Sequence, residues 1–425
     1  MDALHALLAT VTLPNMARIR QSFENAFIED IHGAISRKFH SVPATRALLP
    51  GMKIAVTVGS RGIASLPEIV RSLVHLLHER GCKPFVVPAM GSHGGGTAEG
   101  QEALLAELGV SAGTVNCPVK SGMDVVQVGT LEDGFPVYMD RFAFEADGIV
   151  IFNRIKPHNA FRSRHESGLL KMLAIGLGKH KGAESSHGLG FGRLGGIIEE
   201  AADVLLRTGK IVLGVGSIEN AYDMVSEIVL CGPQDIVSAD REGLKLAKAN
   251  MPRLCVDALD MLIVDMIGKE FSGGGMDGNI TGRYSTSYIT GGPSVERIVA
   301  LDLSEKSHGN ATGVGLADVV PRTLADKIDA RIMYINNITA KAPASGRIPI
   351  TMDTEETAIR CGVKISSAPD GKDARIMRIP NTLHIAEAFI SEALLPEVGA
   401  MERVTILGKP EPMRFDAAGK LVMPY

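Results

Sequence analysis

Tryptophan is absent from the 425 residues, and only five cysteines occur. Those five, Cys82, Cys117, Cys231, Cys255 and Cys361, form no CxxC pair, so neither a zinc knuckle nor a disulfide framework is indicated and reduced, buried thiols are expected. No segment reaches 18 uninterrupted apolar residues, which removes a membrane-spanning helix from the expectations. The opening MDALHALLATVTLP carries no basic stretch ahead of its short apolar run, so no secretory signal is read there and a cytoplasmic location is expected. A surplus of one charge is also missing. The formal net charge of −4 gives no electrostatic footprint for nucleic acid or an anionic membrane.

What the chain has in quantity is glycine, 47 residues of it, within a composition that is 45% hydrophobic and 22% charged. This describes a globular protein able to bury substantial cores, and the length suits two domains rather than one. The glycines fit an α/β protein whose loops bring backbone close to a ligand.

Residues 1–50 read as an amphipathic helix and a polar connector. A β-branched run at 53–58 then ends in Gly59-Ser60-Arg61-Gly62, and Ser65-Leu66-Pro67 opens a helix that stops at Gly81. The strand KPFVVP at 83–88 completes a βαβ unit, which implies a parallel sheet with ligands at the carboxyl ends of its strands. The second strand end reads Met90-Gly91-Ser92-His93-Gly94-Gly95-Gly96-Thr97. Thr97 can cap the helix that follows, whose N-terminus favours anions. Neither a Walker loop nor a GxGxxG fingerprint is present.

The apolar run GIVIF at 148–152 delivers the chain into the stretch around which the rest is organised, NRIKPHNAFRSRHESGLLKMLAIGLGKHKGAESSH at 153–187. It holds four histidines (His158, His165, His180, His187) and four lysines (Lys156, Lys171, Lys179, Lys181). Lys171 lies inside LLKMLAI, so its amine is expected to be half-buried. Desolvation lowers the pKa of such an amine, and a neutral amine can bond covalently to a carbonyl-type group. A lysine snorkelling out of a helix is the plainer alternative, as a hydrogen-bonded structural role is for any one of the histidines.

Further on, a helix is expected within 197–206, strands at 211–219 and 260–267, and a helix at 240–250. The 260–267 strand empties into a polar loop containing Asp277, Asn279 and Arg283. Beyond residue 285 the pattern predicts a second α/β unit: strands at 298–303, 332–336, 374–379 and 403–406, and helices near 316–330 and within 349–363. The expected division is an N-terminal α/β domain at 1–270, rejoined by a tail at about 408–425, and a C-terminal α/β domain at 284–407. Residues 271–283 would be the hinge and the active site the cleft between two Rossmann-like domains.

Gly59-Ser60-Arg61, Gly91-Ser92-His93 and the spaced set His158, Lys171 and His187 together resemble the nickel-pincer-nucleotide-dependent lactate racemases and their homologues acting on other 2-hydroxy acids. The resemblance implies a racemase or epimerase that inverts C2 by reversible hydride transfer through a 2-keto acid. It implies a covalently attached cofactor, pyridinium-3,5-bisthiocarboxylic acid mononucleotide nickel, supplied by cofactor-synthesis enzymes. Lys171 would hold that cofactor through a thioamide, His187 would ligate Ni, and Gly94, Gly95, Thr97 and Lys156 would line its site. His93 and His158 would be the paired acid/base groups. Arg61 would bind the substrate carboxylate or orient the site, with Asp277, Asn279 and Arg283 as further substrate contacts.

The chemistry of these residue types agrees with that assignment, because one base per enantiomer is needed and two histidines supply it. Nickel held by soft sulfur and an imidazole is sensible coordination. The arginines of Phe161-Arg162-Ser163-Arg164, with Asn279 and Arg283, suggest an acid larger or more polar than lactate. Two other classes stay open: a metal-dependent hydrolase or lyase using His93, His158 and His187 as ligands, and a non-catalytic nickel- or anion-binding module.

Overall fold

The computed structural model describes residues 3–60, 62–188, 190–368 and 371–425, the side chains of residues 185–188 excepted. The chain forms two α/β units, one made of Glu24–Met251 and the other of Met1–Phe23 with Pro252–Tyr425.

In the Glu24–Met251 unit a five-stranded sheet runs in the order Lys83–Pro88, Lys53–Val58, Gly148–Arg154, Ile211–Glu219, Val225–Cys231. The first four strands are parallel and the last is antiparallel. Along the inner strands alternate residues enter two different cores. Ala55, Ile149 and Ile151 pack with Leu170, Leu173 and Ile198 on one face, while Ile54, Val56, Val150 and Phe152 pack with Ile69, Leu73 and Leu76 on the other. Both faces being covered is why these strands read as unbroken apolar runs. The helix Leu66–Glu79 contributes Ile69, Leu73, Leu76 and Leu77 as its buried stripe.

The other unit carries an eight-stranded sheet among the described residues. Its order is Ile350–Met352, Val319–Pro321, Ser294–Leu303, Ala258–Ile267, Ile376–Ile379, Glu387–Ser391, Met16–Gln21, Val404–Ile406. The first five are parallel and the remaining pairings antiparallel.

The division differs from the expected one at 1–270, 271–283 and 284–407. Ala258–Ile267 is a central strand of the second sheet, bonded to Ser294–Leu303 on one side and Ile376–Ile379 on the other, so the break falls at Met251 and Pro252. Residues 271–283 therefore lie inside one unit. A Cβ added at Gly275 would stand 1.9 Å from the Thr312 carbonyl oxygen and one at Gly282 would stand 1.8 Å from that of Pro293, a packed loop rather than a hinge. The tail also stays in this unit, where Arg378 Nη1 donates to the Met423 carbonyl (2.7 Å) and Tyr425 packs on Phe389.

Two element assignments change as well. Residues 332–336 belong to the helix Ala330–Thr339, because Asp329 accepts the N–H groups of Arg331 and Ile332 and so caps a helix start. Residues 316–330 hold the strand Val319–Pro321 and the short helix Arg322–Ala325 in place of one helix. The strand Met16–Gln21 was hidden in its sequence, MARIRQ, since what makes it a strand is pairing with Glu387–Ser391 far along the chain. Among the described residues no helix is long and apolar enough to cross a membrane.

Candidate active site

Three neighbouring parallel strands, Lys83–Pro88, Lys53–Val58 and Gly148–Arg154, end at one edge of the sheet. Their carboxyl-end loops carry His93, Ser60 and His158 respectively, the position at which open parallel sheets hold ligands. Ser60 Oγ stands 2.6 Å from His93 Nδ1. A hydroxyl both donates and accepts, so this contact orients the ring in either tautomer. His93 itself is exposed.

The loop turns on glycine. Gly91, Gly94, Gly95 and Gly96 all have φ between +58° and +67°, the left-handed region that other residues adopt only at a cost. Gly94 is also closely packed, since an added Cβ would lie 2.7 Å from the Gln101 amide nitrogen, whereas at Gly95 it would meet nothing within 4 Å. The Thr97 hydroxyl accepts the Gly100 N–H (3.0 Å) and so caps the helix Ala98–Glu107.

The loop carrying His158 is tied down by two buried acids. Lys156 and Ser167 exchange backbone bonds of 2.8 and 3.2 Å across its base. The Glu166 carboxylate accepts the His158 N–H (2.7 Å), Lys248 Nζ (2.6 Å) and Arg162 Nη1 (3.4 Å). Asp240 lies 2.8 Å from His165 Nδ1 and accepts the Leu169 N–H. Within the loop the Ala160 N–H donates to His158 Nδ1 (3.0 Å), and the ring lies 4.5 Å from the centroid of Phe161. A neutral His158 ring so bonded carries its proton on Nε2.

Lys171 is half-buried, as expected of LLKMLAI. The helix Leu169–Lys171 passes directly into a π-turn, Met172–Gly176, a distortion that frequently accompanies functional sites. This turn lies against both neighbouring loops. The Met172 methyl is 3.2 Å from where a Cβ on Gly59 would be, and the Gly91 N–H donates to the Gly176 carbonyl at 3.3 Å. Asn153 Nδ2 donates to the Gly168 carbonyl (2.9 Å), which joins the strand end to the helix start before Lys171. Ser60, His93 and the Lys171 turn are thus brought together, and the strand that leads to His158 is bonded to the start of that turn. Behind them Glu219 accepts the Ala64 N–H (2.8 Å) and pairs with Arg154, linking the first loop to the strands beside it.

Arg61 lies outside the described residues, and so does the side chain of His187, whose backbone falls within the helix Lys179–Gly188. Asp277, Asn279 and Arg283 belong to the other unit. There Asp277 Oδ1 accepts the backbone and side-chain N–H groups of Asn279 (2.9 and 2.8 Å). The Arg283 guanidinium donates to the Leu316 and Glu296 carbonyls and pairs with Asp318 at 2.6 Å. That is the pattern of an arginine tying a loop to its own sheet. Arg162 and Arg164 are likewise engaged, with the His158 carbonyl and Glu166, and with Glu199. These arginines therefore give no motive for a more polar substrate.

Sequence reasoning passed over the most deeply buried amine, Lys179. It is fully buried, and its Nζ donates to the Pro88 carbonyl (2.5 Å) and Gln101 Oε1 (3.0 Å) and lies 3.2 Å from Asp140 Oδ2. Burial pushes the Asp140 carboxyl up and the Lys179 amine down, and the attraction between them opposes both shifts. Pro88 and Gln101 accept two of the Nζ N–H groups, and Asp140 Oδ2 beside them supplies the counter-charge. Nothing in GLGKHKG marks this lysine, because polar and glycine neighbours give no burial signal. Among the described residues no three His, Cys, Asp or Glu side chains gather as a metal site.

Residues 8–192 match the lactate racemase N-terminal domain family. Among solved structures the chain is similar to the lactate racemase apoprotein of Thermoanaerobacterium thermosaccharolyticum, with 12% identity over 86% of this chain and 94% of that one and a TM-score of 0.54. At that identity the likeness speaks for the fold. No curated protein matches the sequence.

Proposed function

Since residues 8–192 match the lactate racemase N-terminal domain family, we propose that this protein is a racemase or epimerase of a 2-hydroxy acid, with a nickel-pincer nucleotide carried on Lys171. The observation that carries the reading is the packing of the Lys171 π-turn against the loops of Ser60 and His93, with the strand that leads to His158 bonded to its start.

The residues present fit such a group. Lys171 offers a half-buried amine in an apolar helix, and the Gly94–Gly96 turn leaves space at Gly95 beside a capped helix N-terminus. His187 is the proposed nickel ligand, with Gly94, Gly95, Thr97 and Lys156 lining the cofactor. When bound, the cofactor would supply a carbon centre that accepts hydride and returns it.

The protein's own part is proton transfer and positioning. Oxidation at C2 requires loss of the hydroxyl proton, and return of hydride to the opposite face of the 2-keto acid requires that a proton be given back. His93, whose Nδ1 contacts a reversible Ser60 hydroxyl, can present a lone pair on Nε2 to remove the proton. His158 is the proposed donor: Nδ1 accepts the Ala160 N–H in the resting neutral ring, and release of that contact with protonation of Nδ1 gives the imidazolium that donates from Nε2 and is left as a neutral base. In the reverse direction the two exchange roles. Arg61 is the proposed partner of the substrate carboxylate.

The test is to produce the protein beside cofactor-synthesis enzymes and challenge it with paired 2-hydroxy acids, following each enantiomer by chiral chromatography. Interconversion of at least one pair, with nickel bound in stoichiometric amount, is the expected result. Stoichiometric nickel without turnover of any pair would favour a binding module, and hydrolysis or elimination without inversion would favour a metal-dependent hydrolase or lyase.

A further inference from the structure

We propose that Lys179 is a positioning residue for His93, acting through the side-chain amide of Gln101. The inference rests on the reading of His93 as an acid/base group and concerns residues on which that reading does not draw.

Gln101 is fully buried and uses both ends of its amide. Its Nε2 donates to the Gly91 carbonyl (2.9 Å) and the His93 carbonyl (3.2 Å), and its Oε1 accepts from Lys179 Nζ (3.0 Å). Turning the amide over would set its NH2 against the ammonium and its oxygen against two carbonyl oxygens. Lys179 therefore decides which way Gln101 points, and Gln101 holds the two carbonyls that bracket the turn into His93. The same ammonium donates to the Pro88 carbonyl at the end of the strand that launches the loop.

Asp140 supplies the counter-charge and is itself fixed. Its carboxylate accepts the Ala143 N–H (2.9 Å), and its backbone N–H donates to the Leu177 carbonyl (2.7 Å). Lys179 has a φ of +54°, a conformation that lysine rarely adopts and that persists where surrounding contacts over-determine it. The segment from 171 to 179 thus has the proposed cofactor amine at one end and the support of the His93 loop at the other.

Two variants test this on the full chain, and the histidine readout needs neither cofactor nor substrate. Gln101→Met keeps the Lys179–Asp140 pair and removes the amide. The double variant Lys179→Met with Asp140→Leu removes both charges together, a replacement that proteins often tolerate. His93 is followed by histidine NMR through a pH titration, its signal identified by its loss in His93→Gln. Both variants are expected to fold, to displace the His93 midpoint in the same direction while leaving that of His40, and to speed amide exchange at residues 91–96 by about tenfold or more. In the loaded enzyme kcat should fall with KM unchanged.

Folded variants with an unaltered His93 titration and unaltered exchange would overturn the proposal. A shift in the double variant but not in Gln101→Met would overturn the route through the amide. Failure of both to fold would make the network a determinant of the fold instead. If the His93 signal moves as expected while the wild-type protein inverts no 2-hydroxy acid, the positioning role stands and the racemase reading falls.

Discussion

Ser60 Oγ stands 2.6 Å from His93 Nδ1, a hydrogen bond that can run in either direction because the hydroxyl is both donor and acceptor. His158 differs, since its Nδ1 takes a backbone N–H from Ala160 at 3.0 Å and a backbone amide cannot reverse. The two histidines proposed as a pair are therefore held unequally. His93 can present a lone pair or a proton at Nε2 while staying neutral, and neutral His158 presents a proton.

Replacing either histidine is expected to cripple both directions, because each turnover needs one group to take the proton and the other to give it. His93→Gln and His158→Gln should each lower kcat/KM by roughly 10² to 10⁴ in both directions. Measuring racemisation from each pure enantiomer checks this. Loss in one direction alone contradicts the reversible equilibrium, and loss in neither leaves both residues structural.

Ser60→Ala should act on His93 without disturbing the fold. Loss of a single orienting hydrogen bond is worth about 1 kcal/mol, or about fivefold in rate. The expected outcome is a fall in kcat of that order with a thermal midpoint within a few degrees of wild type. An unchanged kcat would mean that the serine contact does not orient the working ring.

Lys171→Ala is expected to abolish a cofactor adduct that intact-mass spectrometry of the loaded protein detects and peptide mapping locates. His187→Ala should retain the adduct and lose most of the nickel, read by elemental analysis. An adduct on Lys179 in place of Lys171 would reassign the central stretch, and stoichiometric nickel in His187→Ala would remove that residue from the metal.

Asp140→Asn leaves the buried Lys179 ammonium without its counter-charge, which should cost about 3–5 kcal/mol near neutral pH. The sign of the pH dependence follows from the lysine. Burial lowers the Lys179 pKa in the folded protein, and without Asp140 it falls further. Between that value and the unfolded one the unfolded chain binds more protons, so stability of the variant rises with pH. Urea unfolding from neutral to alkaline pH should therefore show the gap from wild type narrowing as pH increases. A gap that stays constant would mean that Lys179 is not the group left unpaired.

Much of the Glu24–Met251 unit was legible because its signals are local. The runs at 53–58, 83–88 and 148–152 are strands buried on both faces, and such strands need apolar residues at every position, which a sequence displays directly. Proline in the first turn of the helix Leu66–Glu79, threonine before Ala98–Glu107 and the glycines of the His93 turn each answer a backbone requirement at their own position, whereas Ser65 makes no capping bond with its side chain. Lys171 announced its half-burial through its apolar neighbours. From these alone follow a parallel sheet and loops gathered at its carboxyl edge.

What the tertiary structure decided are relations between distant residues. Whether Ala258–Ile267 belonged to the first sheet or the second depended on which strands would pair with it, and an apolar run does not name its partners. Arg283 reads from sequence as a cation available to an anion, yet its guanidinium is occupied by Asp318 and two carbonyls. Lys179 reads as a polar residue among glycines, yet Pro88, Gln101 and Asp140 converge on it from three separate segments. A buried charge is tolerated only where acceptors are assembled around it, and that assembly exists only once the chain has folded.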